Sequence, residues 1–466
     1  MTITSPSRRP HPARVPDPSA AGGLRRSDGI RSRLRAFGKH PRLMGVDAAR
    51  GLAVLGMLGA HLGLGAAGFD WATPATWGDA VNGRSAILFA IVAGVSLALM
   101  TRGLDRDDAD AVRAARLRLI GRGLAVFAIG IVLELLGTHI AVILTIYGLL
   151  FVIAAPLLTW RTRSLAIGAV VSAVLVPAAL ATMNVLSADV IFGPGVSFAL
   201  VGIYPVPVWI TFLLIGLAVG RMPLHRVRVQ LALLGLGAVL ATAGYGAAAL
   251  ALPSTPPAES MTSSSVSSDV PSGSAEGGLP GMSPADQFDF DGLSCQADSG
   301  VIVCADPDEF AGGADAGEAG DYWEALWASD PLGMIGTHWM DASPHSSGAL
   351  EIIGSGGLAM AVLALMLLAA RPLRWVLIPL AALGAMPLTA YAAHVVLFVN
   401  GWFTSLFEEP VIAWGVASVG LLVLTTMWAL LVGRGPLERL TAWAGAAFTR
   451  ESRAGRHAAV GTDPQG

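Results

Sequence analysis

Charged and titratable side chains are scarce in this sequence, and several of them sit inside long apolar stretches. Residues 44–63, "MGVDAARGLAVLGMLGAHLG", hold Asp47, Arg50 and His61. At about 100° per helical residue, these three fall within roughly 60° of one another, on one helix face. His61 lies roughly 16 Å further along the axis than Arg50. Asp47 and Arg50, at i and i+3, can neutralise each other, which suits either a binding site or an interfacial anchor. His61 has no such local partner. It is read as a hydrogen-bonded imidazole or as an acid–base group. Ionisable groups within apolar spans cost about 2.5–3.5 kcal/mol each and mark polar interiors.

Similar groups recur along the chain. Arg84 opens "NGRSAILFAIVAG". Glu134 and His139 lie near the end of a third apolar stretch. His338, His345 and Glu351 precede or begin a later one, and Tyr391 and His394 lie in "GAMPLTAYAAHVVLF". With alternating spans, His61, Arg84, Glu134, His139, His345, Glu351 and His394 share one depth. A polar cavity in that layer is expected, with His61, Glu134 and His394 as acid–base candidates. Asp47, Arg50, Arg84, His139, His345, Glu351 and Tyr391 are the substrate-binding candidates. The segment 104–122, "LDRDDADAVRAARLRLIGR", reads as an amphipathic helix. Its Arg113, Arg116, Arg118 and Arg122 could hold cofactor phosphates or face anionic lipid. The sequence has no phosphate-binding glycine loop, no zinc spacing and no G-x-S-x-G elbow. Neither a metal nor a nucleic-acid partner is expected.

The elements that must position these residues are membrane helices. Of 466 residues, 54% are hydrophobic and only 14% charged, with mean hydropathy +0.62, against nearer a quarter charged in soluble domains. Apolar blocks of about 20 residues match about 30 Å of hydrocarbon. About ten spans are predicted: 46–66, 85–102, 120–138, 140–159, 165–184, 200–220, 229–252, 349–370, 375–399 and 411–433. The stretch 185–199 is too broken to span. Arg-rich connections recur on one side of such a bundle, which predicts that both termini are cytoplasmic. The expected class is an all-α polytopic bundle in the bacterial inner membrane, in contact with its lipids; the sequence leaves a homo-oligomer open.

Five segments follow. Residues 1–43, rich in Pro, Ser and Arg, read as a cytoplasmic tail without a cleavable signal. Residues 44–252 form an N-terminal membrane domain and 253–347 an extracytoplasmic loop. That loop has 16 Asp or Glu and no Lys or Arg. Its first half has linker composition, and its second half carries aromatics that fold against the membrane surface. Residues 348–440 form a C-terminal membrane domain and 441–466 a cytoplasmic tail. Cys295 and Cys304, both in the loop, predict a local disulfide in an oxidising space; two free thiols are the alternative.

The pattern Asp47-x-x-Arg50-Gly51, followed by an apolar run and a polar residue eleven positions after the Arg, resembles the start of the heparan-α-glucosaminide N-acetyltransferase-like membrane proteins. "NGRSAILFAIVAGVSLAL" (82–99) resembles their second span. "PHSSGALEIIGSGGLAMAVLALMLL" (344–368), "GAMPLTAYAAHVVL" (384–397) and "GRGPLERL" (433–440) resemble a companion bacterial membrane domain. Together these cover about 40–150 and 344–440. The resemblance implies transfer of an acyl group, acetyl above all, from cytoplasmic acyl-CoA to a sugar, cell-wall or lipid acceptor outside. It casts Arg50, Arg116 and Arg122 as holders of the CoA phosphates. The family's catalytic His lies in the first outer loop, and here that loop (64–83) has none. His61 is therefore a substitute for that residue and not a match to it. A permease using the same polar layer is the alternative; its expected sign is helices interrupted at matching places in two halves, and "FGPG" (192–195) has no clear partner. A structural or interaction protein is the third reading.

Overall fold

The computed structural model describes residues 43–64, 73–138, 140–187, 192–251, 294–298, 301–305 and 319–460. The outermost tails, much of the acidic loop, part of the first outer loop, and His139 lie outside the described residues.

The chain is a helical bundle. Its N-terminal helices are α1 (Met44–His61), α2 (Arg84–Met100), α3 (Ala109–Glu134), α4 (Leu144–Leu157), α5 (Thr162–Leu186), α6 (Val206–Gly220) and α7 (Val227–Ala251). After the acidic loop come α8 (Ala319–Ala328), α9 (Pro331–Met340), α10 (Ala349–Ala369), α11 (Arg374–Ala385), α12 (Pro387–Leu397), α13 (Pro410–Leu431) and α14 (Pro436–Val460). Among the described residues, six helical stretches are long and apolar enough to cross a membrane: 76–100, 162–186, 194–220, 227–251, 349–369 and 410–431. The bent pair α11–α12 makes a seventh. Each of the ten expected apolar blocks falls on a helix. Those outside the six or seven carry charges, as α1 and α3 do, or are short, as the 14-residue α4 is.

One expectation is refined and one corrected. The segment 104–122, expected as a helix leading into the third span, is helical from Ala109 and continuous with that span, so α3 is 26 residues long. Asp108 starts α3 by accepting the Ala111 N–H at 2.9 Å, the usual service of an N-cap aspartate. The block 375–399 is not one straight span. It breaks at Met386–Pro387 and bends by 79°. Pro387 has no N–H to continue α11, and it disfavours a helical conformation at Met386, which sits at φ −130°, ψ 50°.

The acidic loop contributes an antiparallel hairpin, β1 (Ser294–Asp298) and β2 (Val301–Ala305), in which Cys295 stands opposite Cys304. Directly opposed residues are about 4.5–5.5 Å apart at Cα, within the span of a disulfide. Further on, α9 lies against α5, where the Trp339 indole N–H donates to the Val174 carbonyl at 3.1 Å.

The two membrane segments interleave. α10 packs chiefly on α7, α11 on α1, and α14 on α3. Small residues make these approaches close. At the α1–α11 crossing the backbones touch: a Cβ on Gly384 would overlap the Asp47 carbonyl oxygen, and one on Gly51 would overlap that of Leu380. A Cβ on Gly415 of α13 would meet nothing within 4 Å. Gly384→Leu is therefore expected to cost at least about 1–3 kcal/mol by overpacking, seen as a lower melting temperature in detergent. Gly415→Leu should melt like the wild type.

Candidate functional site

The site is built around the break between α11 and α12. A helix end leaves backbone groups without partners, and inside a membrane bundle water cannot satisfy them. Here two distant charged side chains do so. Arg50 of α1 donates to the carbonyl of Gly384, at the end of α11, at 2.6 Å. Glu438 of α14 accepts the N–H groups of Leu388 and Thr389, at the start of α12, at 2.8 and 3.1 Å, and the Thr389 hydroxyl at 2.6 Å. Each charge also has the sign its helix end favours: a cation at the C-terminus and an anion at the N-terminus. Arg50 is held in turn by Asp47 at 3.0 Å and by the Ser96 hydroxyl.

Fixing α12 fixes Tyr391 and His394, three residues apart on it and both fully buried. His394 Nε2 lies 3.2 Å from His61 Nδ1, so one ring donates to the other. The Tyr391 and His394 rings meet edge to face, with centroids 4.6 Å apart. Two cavities flank this row. The first, about 290 Å³, is lined by His61, Asn82, Ser85, Tyr204, His345 and Tyr391, among others. The second, about 510 Å³, is lined by Asp47, Arg50, Ser96, Arg122, Arg434, Glu438 and again Tyr391. Tyr391 is common to both linings.

The expected residues divide accordingly. His61, His345 and Tyr391 line the first cavity, and His394 stands behind His61. His345 has φ +66°, a conformation rarely adopted by residues with a Cβ. Buried Glu351 holds it there by accepting the N–H groups of His345 and Ser347, both at 2.8 Å, and the Ser346 hydroxyl at 3.3 Å. Glu351 thus shapes the loop that carries His345. Burial lowers the affinity of the His345 imidazole for a proton, and its ring packs edgewise on Tyr204. Arg84 donates to the Tyr245 hydroxyl and the Asp79 carbonyl, both at 2.9 Å; it braces α2 against α7. Glu134 is exposed and accepts from Thr145 at 3.0 Å; it does not line the first cavity, although it is near enough to Tyr391 for an electrostatic interaction. Arg116 donates to Ala155 and Thr159 at the end of α4 and does not line the second cavity. Exposed Arg113 and Arg118 do not line it either.

Arg122 does line that cavity, with the Met100 sulfur at 3.3 Å. Sequence reasoning missed Arg434 and Glu438, because "GRGPLERL" reads as one more basic connection. The offset Pro436-Glu438 was a usable signal, since an acid just inside a helix start seeks backbone N–H groups. No group of three or more His, Cys, Asp or Glu placed to hold a metal occurs among the described residues.

These features define a polytopic helical membrane protein with two polar cavities in its bundle, one lined by guanidinium groups and one by imidazoles, that share Tyr391. Residues 42–251 match the family model for the catalytic domain of heparan-alpha-glucosaminide N-acetyltransferase. Just under half of the chain lies in that match, which supports a likeness to this acetyltransferase-like family over those residues. No curated protein and no solved structure matches it. The match does not extend to 344–440, where the resemblance rests on the motifs alone.

If Glu438 holds the break, Glu438→Ala should destabilise the protein by about 1–3 kcal/mol, the cost of buried donors left unpaired. Glu438→Gln keeps one carbonyl oxygen and should recover part of that loss. Thermal unfolding of the two purified variants reads both effects.

Proposed function

We propose that this protein moves an acyl group, acetyl in the first instance, from acyl-CoA in the Arg50 cavity to a hydroxyl or amine acceptor in the His61 cavity. The observation that carries this reading is the pair of cavities with different polar linings that share Tyr391. Arg122 and Arg434 make no hydrogen bond to a carboxylate among the described residues, so both suit the phosphates of a CoA thioester. Arg50 adds a third positive charge, although its donors are largely engaged by the fold.

On the other side, His61 is the general base. His394 orients the His61 ring through Nδ1, as the third member of a nucleophile–base–orienter set does. A half-buried base so held can take the acceptor's proton as the nucleophile attacks. The 290 Å³ cavity lies at the small end of ligand pockets, and its aromatic and hydroxyl lining suits one sugar unit of an envelope glycan. The Arg-rich connections Arg102, Arg106 and Arg221 cluster beyond the Met100 end of α2, the end that also lines the Arg50 cavity. By the positive-inside rule that end is cytoplasmic. The donor then enters from the cytoplasm, the acceptor meets it from outside, and both termini are cytoplasmic in a bacterial inner membrane.

The break in α11–α12 is also a geometry that permeases use. Solute uptake into vesicles without acylation is the outcome that would favour that reading.

The test uses the full chain in nanodiscs with radiolabelled acetyl-CoA and cell-envelope material. Arg122→Ala combined with Arg434→Ala should weaken acetyl-CoA binding at least about tenfold, since bonds to charged groups contribute about 1.5–3 kcal/mol each. His61→Ala should leave binding unchanged and reduce transfer by about 10²–10⁴. Failure of the wild type to bind acetyl-CoA would sink the proposal, and undiminished transfer by His61→Ala would remove His61 as the base.

A further inference from the structure

Of the side chains lining the two cavities, Tyr391 is the one they share, and it has a proton to give. Its phenol oxygen accepts the backbone N–H of Ile143 at 3.2 Å. The other tyrosines of the region spend their protons differently. Tyr147 donates to the Ala86 carbonyl at 3.2 Å, and Tyr204 points at the Ala141 carbonyl at 3.5 Å. Among the described residues, the Tyr391 O–H has no acceptor. Accepting the Ile143 N–H also polarises the phenol and strengthens its O–H as a donor.

Its position is imposed and not incidental. Glu438 fixes the start of α12, the ring is fully buried, and the His394 ring packs against it. A rigid donor at a boundary between two polar cavities is placed to meet a group that reaches from one into the other.

We propose that Tyr391 is the point of transfer. Its ring is the partition between the cavities, and its O–H is the donor to the thioester carbonyl oxygen. The inference rests on the acyl-transfer reading above and adds where the reacting carbonyl sits. The acceptor's oxygen or nitrogen lone pair forms a bond to the carbonyl carbon. The carbonyl π pair moves onto oxygen, where the Tyr391 O–H stabilises it. That pair then re-forms the double bond as the carbon–sulfur bond breaks, and the thiolate leaves with the bonding electrons into the Arg50 cavity. His61 takes the acceptor's proton and releases it to water, and the thiolate takes one from water on its own side. The ring, meanwhile, keeps water in the acceptor cavity away from the thioester until an acceptor displaces it.

Two substitutions separate the donor from the partition. Tyr391→Phe keeps the ring and removes the hydroxyl. Tyr391→Ala removes both. Wild type and variants in nanodiscs receive acetyl-CoA with and without glucosamine as the probe acceptor; acetyl-CoA binding, N-acetylglucosamine formation and free thiol release are read. Tyr391→Phe should bind acetyl-CoA within about twofold of wild type and lose about 10²–10³ in kcat, the usual cost of one such donor. Tyr391→Ala should release thiol without glucosamine faster than wild type, while its transfer falls. A Tyr391→Phe kcat within threefold of wild type would overturn the donor role, and unchanged acceptor-independent thiol release from folded Tyr391→Ala would overturn the partition. The Phe variant carries the decisive arm should the Ala variant not fold. If the wild type itself binds no acetyl-CoA, the acyl-transfer reading fails; a wild type that transfers beside an unimpaired Tyr391→Phe refutes the Tyr391 inference alone.

Discussion

The break between α11 and α12 sets most of what surrounds it. An unpartnered backbone group in a lipid-surrounded bundle costs several kcal/mol, so an interrupted helix persists only where side chains complete both ends. Arg50 completes one end and Glu438 the other, from helices 334 and 50 residues away in sequence. Both interactions demand close approach. The guanidinium reaches Gly384 because Gly51 and Gly384 let α1 and α11 touch. This gives the Asp47-x-x-Arg50-Gly51 pattern a mechanical account: Asp47 and Ser96 aim the arginine, Arg50 closes α11, and Gly51 makes room. The charge at Arg50 is thus first a requirement of the fold and second a feature of the cavity.

Sorting charges by what already holds them narrows the chemistry. Arg84, Arg116 and Glu351 each satisfy backbone or hydroxyl groups that would otherwise be left buried and unpaired. Removing any one of them would disturb the structure whatever the protein does. Arg122 and Arg434 are different, because they face a cavity with few partners, and the His61–His394–Tyr391 row faces two. A polar layer at one depth is therefore not one site. Part of it is scaffolding for the left-handed loop at His345 and for the α2–α7 contact, and part of it faces the cavities.

Much of the helix framework was legible in the sequence, because apolar block length reports span length directly. The shared depth of His61, His345 and His394 was legible too, since rise per residue and alternation of spans fix it. The helix break was signalled by Pro387 but hidden by an apolar run on both sides of it. The contact of Arg116 with the end of α4 was not legible, because positive charge near a span end looks the same whether it meets a phosphate or a helix-terminal carbonyl. Glu134 was expected at the depth of His61 yet does not line its cavity, since depth says nothing about position around the bundle. The His61–His394 contact joins residues 333 apart, and no local periodicity encodes a pairing of that kind.

That pairing bears on where the activity resides. The family match covers residues 42–251, which include Arg50, His61 and Arg122. His394, Tyr391, Arg434 and Glu438 all lie beyond it. In this chain the imidazole of α1 is oriented from α12, and the cavity opened by α1, α2 and α3 is walled by α12 and α14. On the proposed acyl-transfer reading, a base at His61, with no histidine in the first outer loop, is oriented from beyond the matched residues. The C-terminal segment supplies that orientation, the shared tyrosine and a further guanidinium. On that proposed reading, the absent loop histidine and the C-terminal segment are two sides of one arrangement, since both cavities are lined from both halves of the chain.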